Sequence, residues 1–201
     1  EQSVTLSHTQ FQNNQAELNG GAIATPDNYK NAFFQFRNVT FVDNIANKGK
    51  GGAVYASGIN TALQFSENCR FDGNKAIKGS GGAVAIENQA GLRMENVIAK
   101  HNIAGGDGGF LFSRFSSPIL LQDVTIMNSS STSGNGGALA IKATRIALEK
   151  VHVEFCSADI GDGGAILLDE GAEAHAFAVN FVQNSAQNSG GHIKLAASSF
   201  L

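Results

Sequence analysis

The sequence predicts an all-β chain wound as a right-handed parallel β-helix, a solenoid of about seven coils, each with 27–31 residues and three short strands. Two observations carry this expectation. Gly-Gly pairs recur at Gly20-Gly21, Gly51-Gly52, Gly81-Gly82, Gly108-Gly109, Gly136-Gly137, Gly163-Gly164 and Gly190-Gly191, a nearly constant period. Between the pairs, apolar residues alternate every second position, the rhythm of strands rather than helices.

The strands can be taken in order. Phe34 and Phe36, then Val39 and Phe41, recur as Leu92 and Met94, then Val97 and Ala99. The same register returns as Ile119, Leu121, Val124 and Ile126, and again as Ile146, Leu148, Val151 and Val153. A further strand follows each Gly-Gly, with Ile23, Val54, Val84, Leu111, Leu139, Ile166 and Ile193 in one slot. No segment keeps a 3.6-residue apolar rhythm, which excludes helical repeats and leucine-rich repeats with a helical side. Coils stacked at the interstrand distance of ~4.8 Å give a rod of about 34 Å. The usual hand of parallel crossovers makes the rod right-handed.

Stacking puts equivalent residues above one another. The Ile23 column and the Phe11, Phe41, Phe71 column are therefore expected to fill the bore, at about 1.5–3 kcal/mol per buried side chain. Asn stands three residues after the Phe slot at Asn14, Asn44, Asn74, Asn102 and Asn184, replaced by Ser129 and Cys156 in two coils. It belongs at a corner, where it tolerates a left-handed backbone and its amide can bond the amides above and below. Gly-Gly supplies a second bend.

Composition narrows the function. Hydrophobic residues make up 42% of the chain, enough for a continuous core, and no apolar run is long enough to span a bilayer. The start, "EQSVTLSHTQ", lacks the parts of a signal peptide. The formal charge is −3 and the charges are scattered singly, which gives no footprint for nucleic acid and no membrane insertion by this segment. Residues 1–201 read as a single repeat domain without evident caps, hence as a segment of a longer protein.

The paired motifs "FxxN" and "GGA[ILV]" resemble the repeat of the chlamydial polymorphic outer membrane proteins. "GGAI" stands at 20–23 and 163–166, "GGAV" at 51–54 and 81–84, and "GGAL" at 136–139; "GGFL" from Gly108 and "GGHI" from Gly190 depart from the pattern. The "FxxN" half is lost in the fourth to sixth coils. The resemblance implies the β-helix passenger region of an autotransporter-like protein, located extracellularly or on the cell surface, associated with the outer membrane and acting as an adhesin.

Three sets of residues are candidates for function. If the Ile23 column points inward, its neighbours Ala22, Ala24, Ala53, Tyr55, Ala83, Ala85, Phe110, Phe112, Ala138, Ala140, Ala165 and Leu167 form a flat outer face. Such a face suits another subunit or ligand, unless a loop such as 25–32 or 113–118 covers it. The residue before each Gly-Gly forms a column in which Asp107, Asn135 and Asp162 offer a carbohydrate or calcium site, against the simpler reading that Asp and Asn suit a turn before glycine. The third set is the five histidines, which occupy different slots and read as surface or corner residues.

The "GDGG" runs lack the nine-residue period of calcium rolls, and no Gly-Gly opens a helix that could hold phosphate. Cys69 takes the inward slot of Val39 and Val97, while Cys156 takes the Asn slot three coils away, too far for a disulfide. Sequons stand at Asn38 and Asn128. No cofactor, metal or catalytic residue is assigned. The sequence thus predicts a non-enzymatic segment for adhesion or extracellular structural assembly, its partner a host receptor, a neighbouring subunit or a polysaccharide. The alternative is a polysaccharide-binding β-helix, or a lyase or hydrolase.

Overall fold

Parallel pairing of equivalent residues organises the whole chain. A computed structural model describes residues 2–26, 30–196 and 198–201, and within them every strand pairs in parallel with equivalent strands of the adjacent coils, those of the end coils on one side only. The result is a β-solenoid of about seven coils with three sheets, of twelve, seven and seven strands.

The first sheet is bent. Most coils contribute two strands to it, such as Ala62–Ser66 and Cys69–Asp72, divided by a corner. In the fourth and fifth coils single strands, Gly91–Lys100 and Ile119–Met127, run through the corner. The second sheet consists of two-residue strands such as Ile45–Ala46 and Lys75–Ala76. The third follows the Gly-Gly pairs and includes Val54–Ser57, Val84–Glu87 and Leu111–Arg114.

The expected columns are observed. Phe11, Phe41, Phe71, Ala99, Ile126, Val153 and Phe181 are successive register partners. Val54, Val84, Leu111, Leu139 and Ile166 are buried in the third sheet's column, with Ile23 and Ile193 half-buried at its ends. Two aromatic ladders lie side by side in the bore. Phe11, Phe41 and Phe71 stack at 5.0 and 4.9 Å, Phe36 and Phe65 at 4.5 Å, and rings of the two ladders meet edge to face. Such pairs add about 0.5–1.5 kcal/mol beyond burial.

The asparagines form the ladder their spacing implies. Asn14, Asn44 and Asn74 each donate Nδ2 to Oδ1 of the Asn in the next coil at 2.9, 2.9 and 3.0 Å. Each also donates its backbone N–H to that same oxygen. A second bond runs back, as Asn74 Nδ2 reaches the Phe41 carbonyl at 3.0 Å. The left-handed residue, however, is the one before the ladder Asn: Asn13, Asp43, Gly73, His101, Asn128, Phe155 and Gln183 all have positive φ. This relocates the expected bend by one residue. Turning the chain just before the Asn aims its amide into the stack, where it can serve as both donor and acceptor.

The two glycines of each pair have different duties. Gly51 needs a positive φ of 66°, which few side chains accept. A Cβ on Gly52 would fall on the Gly82 carbonyl and within 2.6 Å of the Lys75 backbone in the next coil. The bore is therefore pinched against the second sheet, whose buried residues Ala46, Ala76, Ala104 and Ala158 lie outside the main core, in a column where Ser131 bonds the Gly106 carbonyl of the turn before Gly-Gly.

Phe110, at the departure "GGFL", is inside rather than outside. It is fully buried with its ring 5.7 Å from Phe71, in the same coil where the Phe column carries only Ala99. In the second and third coils the sizes are reversed, with Phe41 and Phe71 facing Ala53 and Ala83. Large and small have exchanged sites with core volume conserved. We expect Phe110→Ala to cost about 3–5 kcal/mol in denaturant unfolding, and Ala99→Phe alone to cost about 1–3 kcal/mol through overpacking. The double variant recovers most of the loss; simple additivity would refute the exchange. Asn74→Ala, which strips partners from the Phe41 carbonyl and from the Asn44 amides, should cost at least about 2 kcal/mol by the same measurement.

Candidate functional site

The outer face proposed from the sequence is closed. Ala53, Ala83, Phe110, Ala138 and Ala165 belong to the main core, because the backbone turns between them and the following strand so that both residues of each pair point inward. Ala53 and Val54 show this: both donate their N–H to the Ala83 carbonyl, each at 2.9 Å. Only from Val54 onward does in-and-out alternation begin.

Tyr55, Ala85, Phe112, Ala140 and Leu167 do point away from the main core, but all are buried in a second cluster. Of the twelve proposed face residues only Ala24 is exposed and Ala22 half-buried, both in the first coil. Of the two readings of this stripe, a free contact face or cover by the same chain, the structure has the second. The turn before each Gly-Gly folds back over the stripe, so that a Cβ on Gly81 would lie 3.1 Å from that of Ala85. Large and small residues alternate along it, which lets the covering turns interlock. Of the loops considered as cover, 25–32 includes residues 27–29, which lie outside the described residues.

Charged side chains seal this seam. Lys50 Nζ lies 2.7 Å from Glu87 Oε1 and 5.1 Å from the centre of the Phe112 ring, and the Tyr55 hydroxyl donates to Glu87 Oε2 at 3.3 Å. Two coils along, Lys142 Nζ pairs with Asp107 Oδ2 at 2.8 Å. In each pair one partner comes from the turn column and the other from the end of the strand in the next coil.

The same column contains Asp107, Asn135 and Asp162, and the structure uses it as a ladder. Asp107 Oδ1 accepts the Asn135 N–H at 2.8 Å and its Nδ2 at 3.2 Å, and Asn135 Oδ1 accepts the Asp162 N–H at 2.9 Å. Asn19 and Ser80 cap the next coil's N–H in the same way. These side chains satisfy backbone donors at a turn, as the simpler sequence reading has it. Asp107 is further committed to Lys142, so the column offers structural bonds rather than a pair of carboxylates facing a substrate.

The histidines stay separate. His8 and His101 occupy left-handed corners, and His101 Nδ1 meets Asp72 Oδ1 at 2.9 Å, while His152 Nε2 meets Glu154 Oε2 at 3.0 Å. Among the described residues no group of three or more His, Cys, Asp or Glu is placed to hold a metal ion. Among the same described residues no helix is long and apolar enough to cross a membrane.

Both cysteines are free and buried in the slots foreseen for them. Burial raises both thiols, Cys156 from the ordinary 9.0 to about 12, with Glu154 adding a smaller push. Sequence reasoning missed the two lysine–carboxylate pairs, which depend on the path of the turns. It also passed over a one-residue insertion at Glu67, which the spacing from Phe65 to Phe71 reveals.

A parallel β-solenoid whose repeated residues face inward or cap turns defines a scaffold. The Chlamydia polymorphic membrane protein repeat matches residues 8–26 and 38–57, the Phe, Asn and Gly-Gly segments of the first two coils, and the chain carries that repeat there. No curated protein and no solved structure matches the chain at a significant level.

Cys156 supplies a chemical test of the buried ladder slot. Its raised native pKa means stability is full below about pH 9 and declines as pH rises toward 12, because only the unfolded thiol ionises freely in that window. We expect Cys156→Ala to flatten this alkaline decline in unfolding titrations. Native Cys156 should also resist iodoacetamide at pH values where a denatured control reacts fully.

Proposed function

We propose that this chain is a secreted or surface-displayed β-helix segment that acts in adhesion or in building an extracellular structure. The observation that carries the reading is the fate of the repeat's own residues. The Phe and aliphatic columns fill the bore, the Asn column bonds itself, and Gly-Gly closes the turns. What recurs therefore specifies a rod, and the outward positions between are free to differ from coil to coil. A rod of this kind holds many different side chains at fixed spacing, the geometry of an extended contact surface.

The repeat match supports the same reading, since the matching repeat is named for a membrane protein. The enzymatic alternative has no comparable support, because Asp107 is held by Lys142 and Asn135.

The test is attachment. Beads coated with the folded chain should bind cultured epithelial cells in a saturable way, in competition with free chain. Beads carrying Asn74→Ala/Phe110→Ala, which disrupts the rod, should not. Light scattering across concentration tests assembly in parallel. Equal retention of both bead types, together with a monomeric mass at every concentration, would remove both roles.

A further inference from the structure

One corner of the first sheet differs from the other six. Between its inward columns the chain takes five steps from Phe36 to Phe41, from Met94 to Ala99 and from Leu121 to Ile126, but six from Phe65 to Phe71. The extra residue leaves Glu67 and Asn68 both at positive φ, 57° and 66°, where the neighbouring corners use only Asn38 or Asn96. An additional non-glycine residue in this region costs about 1–2 kcal/mol, and bulges of this kind concentrate beside functional sites. Cys69 accommodates the bulge from within: its Sγ accepts the Val39 N–H at 3.3 Å, and its thiol reaches the Ser66 carbonyl at 3.0 Å.

On the outside, the bulge forms one wall of a groove of about 280 Å³ across the second, third and fourth coils. It is lined by Gln35, Arg37, Gln64, Ser66, Glu67 and Glu95. Register stacks Gln35 beside Gln64 and Arg37 beside Ser66, so amide, guanidinium, hydroxyl and carboxylate groups stand in rows about 4.8 Å apart from coil to coil and about 6.7 Å apart along each strand. Carboxylates only accept and guanidinium only donates, while amides and hydroxyls do both. This mixture complements a ligand whose own groups are hydroxyls. Each carboxylate has a guanidinium beside it, Glu67 with Arg37 at 3.9 Å and Glu95 with Arg93 at 3.4 Å, which leaves no surplus cation for a sulfated or phosphorylated chain. A peptide would look for an open strand edge or an apolar pocket, and the strands here are paired on both sides.

We propose that this groove binds a neutral saccharide. The inference rests on the adhesion reading above and names the chemistry its partner presents. Nuclear magnetic resonance of the isotope-labelled chain would be followed during titration with cellotetraose, chitotetraose, mannotetraose and lacto-N-tetraose, beside a sulfated heparin tetrasaccharide and an extended peptide as controls.

At least one neutral sugar should shift the backbone amides of residues 64–67 and 93–96. Its affinity should fall at least about tenfold in Gln64→Ala/Glu95→Ala, whose outward side chains can be removed without touching the core. Deletion of Glu67, which regularises the corner, should do the same. Silence with all four sugars, shifts confined elsewhere, unchanged affinity in the double variant, or binding of the sulfated or peptide control alone would overturn the proposal. Beads that adhere to cells while no neutral sugar binds leave adhesion standing and sink this site; sugar binding without bead adhesion does the reverse.

Discussion

Parallel hydrogen bonding between one coil and the next is the constraint on which everything else in this molecule depends. It sets each residue above its equivalent, so a choice made once is repeated at every level or must be compensated locally. An Asn in such a column can bond another Asn, and a Phe can stack on another Phe. An unpaired polar group or a lone bulky ring would instead disturb the coils on both sides. The exchange between Ala99 and Phe110 shows the rule at work: the column loses a ring, and the opposite wall of the same coil supplies one.

The fold carries a recurrent backbone cost. Each coil turns through left-handed residues, and many are not glycine. Asn13, Asn38, Asp43, Asn96, Asp123 and Asn128 fit, since short polar side chains tolerate that conformation. Lys150, Phe155 and Ala178 do not have that excuse, and they lie toward the carboxyl end. That is also where the Asn ladder gives way to Ser129 and Cys156, and the aromatic ladder to Ile126 and Val153. Along the Asn and Phe columns the directional interactions therefore concentrate in the first four coils, whereas in the fifth and sixth they pass to the turn column of Asp107, Asn135 and Asp162.

Much of this was legible in the sequence because the period is long and the columns chemically distinct. The inward slots, the Asn ladder and the places of Cys69 and Cys156 all follow from counting. Counting does not show which way a turn folds. Extending strand alternation one residue back puts Ala53 and Phe110 outside, but a bend before the strand resets it and both lie in the core. The stripe of Tyr55, Ala85 and Phe112 does face outward, but the turn preceding Gly-Gly returns over it. Nothing in a two-residue periodicity reports that path. The column of Asp107, Asn135 and Asp162 was placed correctly. Its role emerged only with the backbone N–H groups that its oxygens meet.

These placements bear on where recognition resides. Residues that define the repeat are consumed by the rod, and the apolar stripe of Tyr55, Ala85 and Phe112 is covered by its own turns. What remains for a partner is the outward set of positions, which the period does not control. There a departure from regularity carries more information than the repeat itself. Every strand neighbour could accept a five-step corner, yet the third coil holds a sixth residue and pairs it with a cysteine whose sulfur fits the altered backbone. In a molecule held together by repetition, a local exception with its own supporting contacts is where a specific partner has most to read.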